Sequence, residues 1–304
     1  MKILLIVLAS IGGVAVISEV GLRIIMGLGD PPLYVTDLEI GYLLAPEQKL
    51  RRQGSLYQTN QYSMRSQPLQ SEAKNRILLL GDSVVNGSWW TDQTQTLSSL
   101  LEQKLEADNP AEVLNLSANS WGPRNELAYL KRFGLFDAST LVLIINTDDL
   151  FTTEPTSLAV GKSPSYPAKK PTLALIEYYQ LFLASPPVIP ELEQLKTATL
   201  QNDRLSQNLA AIKEIKAIAD ASQMKFILVL TPLLREFESD STQSELTARK
   251  RLQELVAAEK IDYIDILAEW ADFPQPEFLY RDRIHPTLQG NTKIIDVIVE
   301  HLAL

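Results

Sequence analysis

The sequence contains no cysteine, so disulfides, thiolate metal sites and a cysteine nucleophile are all excluded, and cysteine usage leaves no mark of a redox compartment. Histidine is nearly as scarce: His285 and His301 are the only two. Any imidazole chemistry must use one of them, and His301, close to the C-terminus in what reads as a final helix, is expected to be a solvated surface residue. Positive charge is also short. With 28 Lys and Arg against 37 Asp and Glu, the formal net charge is -9, which argues against a nucleic-acid partner, since such proteins present a basic face. No internal repeat or low-complexity tract interrupts the chain. What is present, 304 residues of which 45% are hydrophobic and 21% charged, suffices for one α/β core with extensions.

An uncharged apolar run opens the chain. Ile3 to Ser18 follow Lys2 and are dominated by Ile, Leu, Val and Ala, as in the apolar part of a signal peptide or signal anchor. The run falls a little short of the roughly 20 residues that span a bilayer. Glu19 and Arg23, at i and i+4, can neutralise each other on one face and let the helix continue through Ile24, Ile25 and Met26. No small-x-small cleavage site precedes a clear mature start, so residues 1–28 are read as an uncleaved membrane anchor, in preference to a cleaved signal or the buried helix of a soluble domain. Asp30-Pro31-Pro32 ends it, because proline cannot continue a helix and restricts the residue before it. Residues 29–75 are polar and turn-rich, with short strands expected near Tyr42–Leu44 and Ser55–Thr59. They read as a stalk or small β extension without chemistry of its own.

From Arg76 onward apolar runs alternate with helical segments, the signature of a parallel sheet covered on both faces. Strands are expected at Arg76–Leu80, Glu112–Leu116, Leu141–Ile145, Lys225–Leu230 and Tyr263–Ile266. Helices are expected at Thr96–Ala107, Arg124–Phe133, Asp203–Ala221, Ser241–Ala258 and Leu288–Leu302. Residues 76–304 thus predict one three-layer α/β/α domain whose ligands gather at the carboxyl ends of the strands. Thr152–Leu200 breaks the alternation: seven prolines from Pro155 to Pro190 surround one apolar, aromatic stretch, Leu173–Ala184. It is an insertion directly after a strand end, and is expected either to form a lid over the site or to pack as a peripheral helix on the sheet edge.

Two motifs carry chemistry. Ile77-Leu78-Leu79-Leu80-Gly81-Asp82-Ser83 is an apolar strand ending in glycine and then serine. That places a hydroxyl at the carboxyl edge of the sheet, near the free N–H groups of a following helix, which can stabilise an oxyanion. Near the C-terminus, Asp282-Arg283-Ile284-His285-Pro286 sets an aspartate three residues ahead of the usable histidine. The carboxylate can accept the N–H of one ring nitrogen and leave the other to take a proton from a serine.

Gly81-Asp82-Ser83 resembles the first block of the SGNH, or GDSL-like, hydrolases, and Asp282-x-x-His285 resembles their last. The resemblance implies a flavodoxin-like α/β/α fold, with Ser83 as nucleophile, His285 as general base and Asp282 as its orienting carboxylate. It implies hydrolysis or transfer of acyl esters through an acyl-serine, with no metal or organic cofactor. The second block, whose glycine N–H helps form the oxyanion hole, falls in Asn115-Leu116-Ser117-Ala118-Asn119-Ser120-Trp121-Gly122, with Ser120 as the donor by spacing and Gly122 as the other candidate; Ser83 supplies its own N–H. The third block departs from the family: Asn146-Thr147-Asp148-Asp149 puts Asp148 where an asparagine would donate to the oxyanion. Activity on small activated esters is therefore expected to be weak.

Asn60-Gln61-Tyr62-Ser63-Met64-Arg65 is similar to the segment before the hydrolase domain in membrane-anchored bacterial members associated with surface polysaccharide. This favours an acylated carbohydrate over a lipid, acted on outside the cytoplasm. Alternatives on the same fold are an O-acyltransferase, or a non-catalytic polysaccharide-binding or assembly protein. An α/β-hydrolase elbow is excluded, because no second glycine follows Ser83 in the required place. A P-loop is excluded by the missing lysine after Gly87. Asp148-Asp149 reads as a helix cap with a solvated charge rather than as a metal site.

Overall fold

The computed structural model describes residues 1–70, 75–105, 110–198, 201–238 and 241–302. Helix α1 (Lys2–Gly21) continues into one π-helical turn, Leu22–Met26. Its Ile, Leu, Val and Ala side chains bury nothing against the protein, and Lys2–Met26 is long and apolar enough to cross a membrane, with a mean hydropathy of 2.4. Glu19 and Arg23 pair along one face at 2.7 Å, as the spacing predicts. Gly27, at φ +68°, ends the helix in the left-handed conformation.

Two antiparallel hairpins follow: β1 (Tyr34–Asp37) with β2 (Gly41–Leu44), and β3 (Lys49–Arg52) with β4 (Ser55–Gln58). Gln53 and Gly54 both have positive φ, +47° and +84°, as a two-residue hairpin turn of right-handed twist demands. The hairpins do not stand apart from the domain. Tyr34, Ile40, Leu44, Leu50, Tyr57 and Met64 are buried in the same cluster as Leu78 and Leu80 of the central sheet.

That sheet comprises β5 (Arg76–Gly81), β6 (Glu112–Ser117), β7 (Thr140–Asn146), β8 (Lys225–Thr231) and β9 (Asp262–Asp265), all parallel, in the order β6-β5-β7-β8-β9. Strand residues alternate between faces, as a period of two requires. Leu78, Leu80, Leu143 and Leu228 meet helices α4 (Pro123–Phe133), α7 (Gln201–Ala221) and α8 (Gln243–Glu259), whereas Ile77, Leu79, Val142 and Val229 meet α3 (Leu97–Leu105) and α10 (Leu288–Leu302). Between these lie the short helices α2 (Ser83–Asn86), α5 (Ala174–Tyr178), α6 (Pro190–Ala198) and α9 (Ile266–Glu269). Residues 106–109, where α3 was expected to end, lie outside the described residues.

The order is that of a flavodoxin-like sheet, and its switch point falls beside β5, where ligands collect outside the carboxyl ends. Of the 152–200 insertion, the described residues 152–198 reach that end through Tyr166, Glu177 and Leu181. Pro167 O accepts the Tyr34 N–H at 2.9 Å, and Glu19 accepts the first N–H groups of α5, from Ala174 and Leu175, at 2.9 and 3.0 Å.

Candidate active site

Gly81 closes β5 where no side chain fits: a Cβ there would lie 2.5 Å from both Ile144 O and Val85 Cγ2. Asp82 then caps α2, its Oδ1 accepting the Val84 N–H at 2.8 Å, and this tight turn lifts Ser83 to the edge of the sheet. The histidine arrives from the other end of the chain. Loop 280–286 is pinned by the Arg281 N–H to His285 O (2.8 Å), by the Leu234 N–H to Arg283 O (2.9 Å) and by the Tyr280 hydroxyl to Pro232 O (2.6 Å).

Ser83 Oγ lies 2.9 Å from His285 Nε2, and His285 Nδ1 lies 2.8 Å from Asp282 Oδ2. Asp282 Oδ1 also accepts the N–H groups of Ile284 and His285, each at 2.9 Å. Partial burial raises the affinity of Asp282 for a proton, but these N–H bonds and the imidazole outweigh it and hold the carboxyl below its ordinary range. An ionised Asp282 fixes the proton on Nδ1 and leaves Nε2 to accept from serine. Trp90 meets the imidazole edge-on, with centroids 5.2 Å apart, and the Arg281 guanidinium lies over that indole at 5.1 Å.

Behind Ser83 is a layer of acids, Asp82, Asp149 and Glu126, whose burial the sequence does not reveal. Asp82 Oδ2 lies 3.0 Å from Ser83 Oγ and accepts from Asn146 Nδ2 at 3.2 Å; Asn146 Nδ2 also donates to Asp149 Oδ2 at 2.8 Å. Burial, the largest cause in each case, raises the proton affinity of Asp82, Asp149 and Glu126, and Asp82 adds like-charge repulsion to the other two. Among the described residues, neither carboxyl oxygen of Glu126 finds a hydrogen-bond partner. Because its folded-state affinity is raised, Glu126 contributes stability fully below the ordinary carboxylate range and loses it as pH rises toward the folded value. Glu126→Gln removes that loss. The variant is expected to gain on the parent by about 1.4 kcal/mol per pH unit over the window where only the unfolded state has ionised, and denaturation at stepped pH measures it.

The oxyanion candidates part company. Ser120 stands at φ +59°, a conformation glycine adopts without strain, which accounts for glycine being the family's residue there. Its hydroxyl accepts from the Tyr166 hydroxyl at 2.8 Å, and it lines the cleft beside Ser83. Its backbone N–H takes no partner among the described residues. Gly122 does not match its expected role as an alternative donor: its N–H is bonded to Asn125 Oδ1 at 3.1 Å to cap α4, and its Cα abuts Thr152. Asp148 is not among the cleft-lining residues. Asn146 caps the 3₁₀ turn Thr147–Phe151 by accepting the Asp148 N–H at 2.9 Å, and the half-exposed Asp148 carboxylate faces Arg235 at 3.8 Å. Asp148→Asn is therefore expected to change ester turnover by less than about threefold, against the hundred- to thousandfold that loss of a working donor costs. Initial rates of the purified variant decide it. Asp148 and Asp149 also diverge, one toward Arg235 and the other toward buried Asn146, so they form no common metal site.

The cleft over Ser83 and His285 has a volume of about 240 Å³. One wall comes from residues 29–75, correcting the expectation that this segment holds no chemistry: Pro31, Tyr34, Arg52 and Tyr57 line it. Trp89 and Trp90 form a second wall, and Tyr166, Glu177 and Leu181 bring the insertion to the rim. Arg65 sets the second wall: buried beneath it, its guanidinium donates to the carbonyls of Asn86, Ser88 and Thr91 and stacks 4.2 Å from the Tyr57 ring. A larger depression of about 670 Å³, bordered by Gln70, Gln93, Ser99 and Gln103, lies away from Ser83 and His285. His301 bonds the carbonyl of Val297 in its own helix and takes no part in the site.

A serine, an imidazole and a carboxylate in hydrogen-bonded sequence at the carboxyl edge of a flavodoxin-like sheet define an α/β/α protein of hydrolase class. The chain belongs to the GDSL-like lipase/acylhydrolase family, whose model matches residues 79–293. Among solved structures, a variant of an acetyl-xylooligosaccharide esterase from Geobacillus stearmophilus superimposes with a TM-score of 0.51 at 13% identity, covering 78% of this chain and 97% of that one. A lipase/acylhydrolase from Enterococcus faecalis gives a TM-score of 0.46 at 17% identity, covering 75% and 95%. No curated protein sequence matches the chain.

Proposed function

We propose that this chain is a membrane-tethered serine esterase acting on acyl esters of carbohydrate outside the cytoplasm. The observation that carries the reading is the unbroken hydrogen-bond path from Ser83 Oγ through His285 to Asp282. As His285 Nε2 takes its proton, Ser83 Oγ attacks the ester carbonyl carbon, and the oxyanion forms against the N–H groups of Ser83 and Ser120. Collapse breaks the bond to the alcohol oxygen, which leaves with the proton from His285, and Ser83 is acylated. Water, deprotonated in turn by His285, attacks the acyl carbon, and the acid leaves as the acyl–Oγ bond breaks and the proton returns from His285 to Ser83. No step requires a metal or cofactor.

The cleft suits a sugar ester. Trp89, Trp90 and Tyr166, each partly exposed, offer rings against which the C–H side of a pyranose packs, with Asn119 and Ser120 beside them for hydroxyl groups. Tethering rests on the exposed apolar span and on its use by the domain: Glu19, Arg23 and Met26 are knit into the fold through Ala174, Thr172 and Gln53, so removal of residues 1–28 would unpick structured contacts. The test is to incubate the full chain in detergent with acetylated oligosaccharide, with and without unacetylated glycan. Free acetate without an acceptor supports the esterase. Acetate appearing only on added glycan makes it a transferase, and glycan binding without turnover, indifferent to Ser83→Ala, makes it a binding protein.

A further inference from the structure

Helix α5 and the π turn that extends it, Tyr179–Leu183, have two unlike faces. Ala174, Glu177 and Leu181, spaced three and four apart, turn inward, and Glu177 and Leu181 line the cleft. On the other side Leu173, Ile176, Tyr179, Phe182 and Leu183 are exposed, and Val188 follows at 79% exposure. A soluble surface rarely leaves so many large apolar side chains together, and here the pattern is a helix stripe.

The surface continues into the anchor. Glu19 of α1 caps α5 through the Ala174 and Leu175 N–H groups, and Arg23 Nη2 donates to Thr172 O at 3.2 Å. An apolar groove between the two elements is lined by Leu22, Ile25, Met26, Leu175 and Tyr178, and Ile24 and Ile25 are themselves about three-quarters exposed (77% and 75%). The stripe therefore sits at the level where the span leaves the bilayer. Lys169 and Lys170, both exposed, flank it, as cations do where they can meet lipid headgroups.

Resting on the tethered reading above, we propose that the 173–188 stripe is a second membrane contact: it lies in the interface of the same bilayer that the N-terminal helix crosses. Because its inner face is a wall of the cleft, Ser83 is held about one helix diameter, roughly 10 Å, from the membrane surface. The esters within reach are those presented at that surface.

The cysteine-free sequence permits a direct test. Single cysteines placed by Phe182→Cys, Leu183→Cys, Val14→Cys and Ser222→Cys, in the full chain, are labelled with an environment-sensitive fluorophore. The proteins are reconstituted in vesicles of phosphatidylcholine and phosphatidylglycerol with or without brominated acyl chains. Ser222 is exposed in the turn before β8, at the sheet edge opposite the cleft. Bromine is expected to reduce fluorescence about twofold or more at 14, 182 and 183 and to leave 222 unchanged. Quenching at 14 with positions 182 and 183 behaving like 222 overturns the second contact while leaving the anchor standing. Absence of quenching at 14 as well overturns the tethered reading, and this inference with it.

Discussion

Ser83→Ala is expected to lower ester turnover by about 10⁴- to 10⁶-fold with the fold intact, because members of such a constellation act as a unit and losing the nucleophile forfeits the covalent route. The structure gives reasons for so large an effect. Ser83 Oγ already sits 2.9 Å from the base, and loop 280–286 is fixed by three separate contacts, so little reorganisation precedes attack. His285→Gln is expected to cost nearly as much, and adding it to Ser83→Ala to cost almost nothing further. Asp282→Asn keeps the loop but disturbs the Nδ1 proton, and is expected to lose about 10⁴-fold in turnover. The Asp282 carboxyl is held below its ordinary range, so activity should not fall with its protonation until pH drops beneath the normal carboxylate region. Initial rates on a soluble activated ester check each variant.

The second large effect is on stability. Arg52 Nη2 meets Glu177 Oε1 at 2.7 Å with the two side chains 2% and 6% exposed, and the guanidinium lies 5.0 Å from the Trp89 ring. Glu177 Oε2 accepts the Gly29 N–H. One ion pair thus joins the end of the anchor, the second hairpin, the tryptophan wall and the insertion. Glu177→Gln leaves a buried guanidinium without its counter-charge and is expected to destabilise the fold by about 3–5 kcal/mol. Replacing both partners with apolar residues, Arg52→Met with Glu177→Leu, removes the uncompensated charge and is expected to recover most of that loss. Denaturation of the full chain in detergent measures both. A loss below about 1 kcal/mol in the single variant would show the pair to be as weakly coupled as an exposed one.

Much of this was legible in the sequence because local physics dominated. Three of the five sheet strands, β5, β7 and β8, carry uninterrupted apolar runs buried on both faces, and Gly-Asp-Ser and Asp-x-x-His stand at strand and loop ends, where spacing alone sets their geometry. The hairpins were harder to place. Tyr34, Ile40, Tyr57 and Met64 read as scattered residues in a polar segment, and only the fold collects them against Leu78 and Leu80. No local pattern marks Arg52 and Arg65 as buried, since their partners, Glu177 and the carbonyls of residues 86–91, are distant in the chain. Asp148 misled by alignment: its position in the motif was right, but the Asn146 cap turns the following residues so that the carboxylate leaves the cleft. The apolar insertion was visible, although a stripe is assigned to lid, edge or membrane only when its neighbours are known.

The central claim is that Ser83 is an activated nucleophile, and labelling with a fluorophosphonate followed by peptide mapping tests it most directly. The full chain in detergent is predicted to take up one phosphonyl group on Ser83, to lose that reactivity in His285→Gln, and to lose it on denaturation. An intact, folded protein that leaves Ser83 unmodified, or that labels equally well without His285, would contradict the account.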